Sequence, residues 1–433
     1  MSRLALALLL VVAFVSPAAA DVPVVRRVLP NGMTVLVRED PGVGVVAASL
    51  HVRAGSLFET EATAGITNFM QRVLVRGTEK RSALAIIEAA EELGGSLEAS
   101  GEVESAELRG AAIARQWEPL LELLAEVVLT PTFPAVEIER ERRLVLGQLQ
   151  TRADNPFQRA LDTTVRDAYG AHPYAWPAVG RPQSVTGISR EAIVAHHASV
   201  YRPDRMVLAV SGNVPRGAVV ASAERLFRRL PSATGVPASP SIDATPRGEP
   251  RVVERDARQA QVLVGFLAPP VLHPDYAAGR VLASVLGGGM SSRLFTELRD
   301  RRGLAYSVGV VPTARTGPGL FLSYLGTAPA NADAALAGVL AEVERIRAET
   351  IGEHELARAR AYLLGRLAME RSTSARLASQ IAFYELIGGG WDWPQRFGRA
   401  VESVTVADVA RVAQRYLVRP TVVVLRPPRE GGR

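Results

Sequence analysis

The sequence predicts an α+β protein of two similar halves, each a largely antiparallel sheet with helices packed on one face. Three observations predict it. The chain has 433 residues, too many for one ordinary core. Its succession of strand-like and helix-like runs restarts after 231–250, a stretch rich in Pro, Ser, Ala and Thr that reads as a linker. Both halves also close alike: "VYRPDRMVLAVSG" and "YLVRPTVVVLRP" each run helix end, Arg-Pro, strand, at Arg202-Pro203 and Arg419-Pro420. One such match is weak, but a shared order of elements on both sides of the linker reads as an internal duplication.

The elements follow in order. Residues 1–20 carry Arg3, an apolar run from Leu4 to Val15, then Ser16-Pro17 and Ala18 to Ala20. That is the layout of a secretory signal peptide, cleaved near Ala20 to leave a periplasmic or secreted chain starting at Asp21. The run is shorter than the roughly 20 residues of a membrane span, and no later segment is apolar enough, so no stable membrane insertion is expected. An uncleaved anchor is the competing reading.

The first domain, 21–230, opens with two alternating runs flanking Asn31-Gly32, a hairpin signal. "GVVAASLHVRAGS" is a third strand, followed by a helix through "GITNFMQRVLVRGT" and another, "ALAIIEAAEELGG", stopped at Gly94-Gly95. "ESAELRGAAIA" is a strand. "QWEPLLELLAEVVLTP" and "EIERERRLVLGQLQTRADNP" are helices ending at Pro131 and Pro156, a further helix covers Ile193 to Val200, and "RMVLAVSG" is a strand. In the second domain, 251–433, "QAQVLVGFLAPP" is a strand and "PDYAAGRVLASVLGGG" and "SSRLFTELRDRRG" are helices. "LAYSVGVVPTA" and "GLFLSYLGTA" are strands, and long helices run from Ala330 to Ala348 and Glu353 to Glu370.

Composition narrows the function. With 48% hydrophobic and 22% charged residues the chain folds rather than stays disordered. The net charge of +6 is carried by scattered arginines, Lys80 being the only lysine, and no basic stripe marks a nucleic-acid surface. Without cysteine there are no disulfides, thiolate metal sites or cysteine nucleophiles. There is no G-x-S-x-G elbow, and neither G-x-x-x-x-G-K-[ST] nor G-x-G-x-x-G for phosphate.

The stretch "GITNFMQRVLVRGT" holds the chemical question. On a helix Asn68 and Arg72 point the same way, with Gln71 beside them. In an H-x-x-E-H motif the two outer positions are zinc-binding histidines and the glutamate is the general base. Taken alone, the segment would be an amphipathic core helix with a polar outward face. Its surroundings decide otherwise. "GITNFMQRVLVRGTEKRS" resembles the zinc helix of the insulinase/pitrilysin family, which includes the mitochondrial processing peptidase. "RRVLPNGMTVLVRED" resembles the family's first hairpin, and "LGGSLEASGEVESAEL" its substrate-edge region. "AHPYAWPAVG", "VYRPDRMVLAVSGNV" and "LGGGMSSRLFTELRDRRGLAYSV" also follow the family, so the resemblance spans the mature chain.

The resemblance implies a lost site in a clamshell half. Asn68 and Arg72 stand at the histidine positions, Gln71 at the base, and Gln148 at the distal glutamate ligand. Amides are poor zinc ligands, a guanidinium repels a dication, and Gln71 cannot accept a proton. The six histidines, His51, His172, His196, His197, His273 and His354, form no H-x-x-x-H pair to replace them. Glu98 stands where active members have asparagine beside the substrate.

The second half keeps Arg299 and Tyr306 at the family's spacing. There the pair reaches across to the zinc site, the arginine binding substrate carbonyl or carboxylate and the tyrosine donating to the oxyanion. By spacing alone, Arg299 would be a surface ion-pair residue and Tyr306 a tyrosine packed in a strand. The run "LGGGMSS", with Gly288 and Gly289, reads as a hinge or a surface for an extended peptide. Family members pair an active subunit with an inactive one, so the resemblance implies a non-catalytic subunit with no cofactor of its own. Its expected partners are a homologous subunit with intact H-x-x-E-H, which would carry the zinc, and a peptide substrate. A homodimer, a purely structural or peptide-binding role, and an enzyme of other chemistry stay open.

Overall fold

A computed structural model describes residues 22–230 and 249–428. The signal-peptide reading and nearly all of the 231–250 linker lie outside those residues. The first half contains β1 (Val24–Val28), β2 (Thr34–Glu39), β3 (Val45–Val52), α1 (Ile66–Leu74) and α2 (Ala83–Glu92). Then come β4 (Ser96–Gly101), β5 (Ala106–Ile113), α3 (Trp117–Leu129), α4 (Ala135–Asp154) and α5 (Pro156–Tyr169). It ends with α6 (Pro182–Gly187), α7 (Arg190–Val200), β6 (Met206–Gly212) and α8 (Arg216–Phe227). The second half holds β7 (Arg251–Glu254), β8 (Ala260–Ala268), α9 (Tyr276–Gly287), β9 (Ser307–Pro312) and β10 (Gly319–Thr327). It continues through α10 (Ala332–Ala348), α11 (Glu353–Glu370), α12 (Ser374–Leu386), α13 (Trp393–Ser403), α14 (Val406–Tyr416) and β11 (Thr421–Arg426).

The strand order makes the duplication explicit. One sheet runs β1-β2-β6-β3-β5-β4 and the other β7-β11-β8-β10-β9. Apart from β1, each strand of the first has a counterpart in the second. In both, one parallel pair (β2 with β6, β7 with β11) is followed by antiparallel pairs to the far edge. The Arg-Pro dipeptides precede the equivalent strands β6 and β11. The Asn31-Gly32 hairpin forms as its sequence demands. Gly32 takes φ 95, and the Asn31 amide oxygen accepts from the Met33 N–H at 3.1 Å.

The main helical layer covers one face of each sheet, around Phe69, Leu124 and Leu208 in the first half and Val281, Val339 and Val424 in the second. The opposite face of each sheet is covered from the other half. Ala378, Ile381, Ala382 and Leu386 of α12 pack on Leu36, Ala47, Val207 and Ala209 of the first sheet. In return, Ala160 and Ala168 of α5 pack with Leu263, Leu320, Val423 and Leu425 of the second. Burying Ile381 and Leu386 stabilises by about 2 kcal/mol each. Neither half can give up the other without baring a sheet face.

The expected helix over "SSRLFTELRDRRG" departs from α geometry. Phe295–Arg301 winds as a π-helix. Leu298 is fully buried at its centre, while the Arg299 guanidinium lies over the Phe295 ring at 4.8 Å. Such wide turns are rare and recur at functional positions.

Candidate functional site

The helix α1 is fixed at its start by a buried carboxylate. Glu59 accepts from the N–H groups of Gly65 at 2.7 Å and Thr67 at 2.9 Å, donors that a helix N-terminus otherwise leaves unpaired. Burial raises the Glu59 pKa, while the hydrogen bonds from Thr67 and Gly65 oppose the rise. Phe69, Met70, Val73 and Leu74 face the core, so the helix cannot rotate without exposing them. This fixes where Asn68, Gln71 and Arg72 point.

Three of the four degenerate positions meet. The Arg72 Nε donates to Asn68 Oδ1 at 3.1 Å, and an Arg72 terminal nitrogen donates to Gln148 Oε1 at 2.6 Å. Asn68 in turn donates to the Gly101 carbonyl at 2.8 Å, tying α1 to the end of β4. A Cβ on Gly101 would fall 2.7 Å from Asn68 Cα, so only glycine permits this approach. Gln71 is fully buried. Its Oε1 accepts from the Tyr201 hydroxyl at 3.0 Å, and its Nε2 has no partner among the described residues. This donor set does not fit a zinc ion. Two amide oxygens accept from a guanidinium where a metal would need imidazole and carboxylate lone pairs.

His196 and His197 turn to different partners. His196 Nε2 meets the Thr67 hydroxyl at 2.9 Å and His197 donates to the Val128 carbonyl at 3.0 Å. Burial pulls both imidazoles down to about 4; His197 adds to this for His196, and the Val128 bond opposes it for His197. In the unfolded chain they titrate near 6.5, so the unfolded state takes up these protons first as pH falls. Their contribution is complete above about pH 6.5 and is lost toward pH 4. Thermal melts should therefore lose Tm as soon as pH drops below about 6.5; a flat Tm down to about pH 4.5 would contradict a buried neutral pair.

Among the described residues β4 pairs only with β5 and forms the open edge of its sheet. Glu98 on this edge is exposed and pairs across the strands with Arg109 at 2.6 Å. Beside the edge runs a groove of about 430 Å³. Its apolar lining is Val75, Ile86, Ile87, Ala90, Leu97 and Ala99, with Arg72 on its wall.

Arg299 and Tyr306 lie in the other half. Tyr306 immediately precedes the edge strand β9 and is 60% exposed, so it is not packed in a strand. Its hydroxyl makes no hydrogen bond among the described residues. Arg299 is exposed and makes no ion pair among them; its ring contact with Phe295 orients it instead. No hydrogen bond or ion pair among the described residues joins either side chain to Asn68, Gln71, Arg72 or Gln148. Gly288 and Gly289 lie between α9 and the π-helix rather than on a strand. A Cβ at Gly288 would fall 2.6 Å from Ser284 Cα, and one at Gly289 would fall 3.3 Å from the Tyr362 ring. Close packing is a structural reason for glycine at both.

Two polar clusters escaped the sequence reading. Glu104, buried after β4, accepts from the Tyr174 hydroxyl, from Thr316 N at 2.8 Å and from Thr316 Oγ1 at 2.7 Å, joining the two halves. Burial, then the Glu104 charge, push the Tyr174 pKa up. The second cluster holds His51, Glu107, Ser49 and Ser379. Its composition suggests a Ser-His-Glu triad, but its geometry denies one. The same His51 nitrogen, Nε2, faces both Ser379 at 3.3 Å and Glu107 at 3.4 Å, while Nδ1 is buried without a partner. Burial raises the Glu107 pKa, but His51 and the hydroxyls of Ser49 and Ser379 outweigh it and hold the carboxyl at about 2. Neither cluster has sequence spacing that reveals it, because its members come from remote strands, loops and α12.

Residues 34–180 match the family described as Insulinase (Peptidase family M16), and residues 187–363 match the Peptidase M16 inactive domain. A protein of Mycobacterium tuberculosis named an uncharacterized zinc protease is 32% identical over 406 residues, covering 93% of this chain and 92% of its own. The fold matches the M16 inactive-domain structure from Pseudomonas fluorescens, with a TM-score of 0.88 at 24% identity, over 95% of this chain and 100% of that one. It also matches a protease structure from Helicobacter pylori, with a TM-score of 0.86 at 23% identity, over 94% and 99% of the two chains.

Proposed function

Because the chain belongs to the insulinase (M16) peptidase family, yet sets a guanidinium between two amides where active members bind metal, we propose that it is a non-catalytic subunit of an exported heterodimeric zinc peptidase. The observation that carries this reading is the Arg72 bridge from Asn68 to Gln148. It places a cation among the positions where a metal would need its ligands. The partner is a homologous subunit with intact H-x-x-E-H, which supplies the zinc and the base. Peptide is held between the subunits, in part by adding a strand to the β4 edge. Exposed Arg299 and Tyr306 reach into the partner's site, the arginine on substrate carbonyl or carboxylate, the tyrosine donating to the developing oxyanion. The export in this reading rests on the secretory layout of the sequence at 1–20; no helix among the described residues is long and apolar enough to cross a membrane.

Purified alone, the chain is expected to hold no stoichiometric zinc and to cleave no peptide. Purified from its native host, it should bring a zinc-containing homologue with it. Chelator-sensitive cleavage by the lone chain would sink the reading. In the reconstituted pair, Tyr306→Phe should lower kcat about 100-fold, the cost typical of removing one oxyanion donor. Unchanged turnover would remove the role given to Tyr306 and favour the second reading, a structural or peptide-binding protein of this fold with no part in proteolysis. The exposed Tyr306 hydroxyl, free of any partner among the described residues, favours the first.

A further inference from the structure

The groove between α1, α2 and β4 has an unusual charge pattern. Its carboxylates Glu98 and Glu141 each have their own arginine: Arg109 at 2.6 Å and Arg76 at 2.8 Å. Glu91 stands exposed on the α2 rim. Of the two arginines lining the groove, Arg76 and Arg72, it is Arg72 whose partners are neutral. It is bound by the amide oxygens of Asn68 and Gln148, and no carboxylate lies within 4 Å of it among the described residues. Those two bonds use two of the five donors a guanidinium carries. They fix the plane of the fork and leave its remaining donors unassigned.

We propose that Arg72 is a carboxylate anchor, and that its ligand is the free C-terminal carboxylate of a peptide laid along the open edge of β4. This rests on the reading of that edge as a peptide-binding strand. The preset fork suits a planar carboxylate, which can take two parallel N–H donors. A neutral internal peptide carbonyl would leave the arginine's charge unanswered. Strand addition fixes the added main chain, and the terminal carboxylate is the anion that this main chain itself carries. Val75, Ile86, Ile87 and Leu97 offer an apolar wall for the peptide's last side chains. The groove volume of about 430 Å³ suits a short segment rather than a folded partner. The altered zinc site thus becomes a receptor for peptide ends: it holds a cleaved product or a mature C-terminus and does no chemistry on it.

Fluorescence anisotropy on the full mature chain tests this with three N-terminally labelled apolar hexapeptides. One ends in the free acid, one in the amide, and one is an amide with an internal glutamate. The acid is expected to bind at least about tenfold more tightly than either amide, with its advantage shrinking as salt rises. Arg72→Gln should erase the advantage of the acid over the amides. The salt dependence in the unaltered protein keeps the test valid should that variant fold poorly. Equal binding of acid and plain amide overturns the anchor but leaves peptide binding, and so the non-catalytic subunit, standing. Equal preference for the internal glutamate overturns the choice of the chain terminus. Retained acid preference in Arg72→Gln overturns the choice of residue. No binding by any of the three overturns the anchor together with the peptide-binding edge, while zinc analysis of the co-purified pair still decides the subunit reading separately.

Discussion

Combining Asn68→His, Gln71→Glu, Arg72→His and Gln148→Glu is expected to give a chain that binds about one zinc per molecule, where the unaltered chain is expected to bind none. The reason is geometric. Arg72 reaches Asn68 at 3.1 Å and Gln148 at 2.6 Å, so the side chains of α1 and α4 already converge on one point. Two imidazoles and one carboxylate from these positions supply a His₂Glu set with an open fourth position. Removing the guanidinium also removes the cation that would repel the metal. Glu59 holds the start of α1 and Gly101 lets β4 approach it, and the four changes touch neither. Arg72→His alone should not suffice, because it adds one ligand beside two amides. Metal analysis after dialysis reads the result. A folded quadruple variant without zinc would show that the convergence is not close enough for coordination.

Glu104→Ala is expected to destabilise the protein by about 3 kcal/mol, the second-largest effect foreseen. The substitution removes a buried acceptor and deprives three donors of it: the half-buried Thr316 N–H and hydroxyl and the buried Tyr174 hydroxyl. Each half contributes to the cluster, so the loss falls on the contact between halves. Glu98→Ala is the control. That carboxylate is about as exposed as its partner Arg109, so its loss should cost less than about 1 kcal/mol. Urea denaturation of both variants makes the comparison. If Glu104→Ala costs no more than Glu98→Ala, the cluster does not join the halves energetically.

Where the chemistry lies on one helix, the sequence is legible. The i, i+4 spacing of Asn68 and Arg72 needs only helical geometry, and the structure keeps both on one side of α1. The pairing of Gln148 with that helix was implied by family resemblance rather than spacing, and the bond from Arg72 makes it physical. The exposure of Tyr306 could not be read, because a tyrosine beside a strand is as often packed as free. The π-helix at Phe295–Arg301 was equally hidden, since its sequence carries an ordinary helical pattern.

The sequence by itself determined the duplicated α+β plan and the identities at positions 68, 71, 72 and 148, amides and a guanidinium in place of imidazoles and carboxylates. Periodicity and residue chemistry are local, and both survive in the one-dimensional chain. Only the tertiary structure decided that α5 and α12 change places to complete each other's sheets. It alone decided that Glu104 meets Thr316 across 212 residues, and that Arg72 is left with neutral partners beside an open strand. Such contacts join distant segments through packing and charge balance, which leave no periodic trace in the chain that makes them.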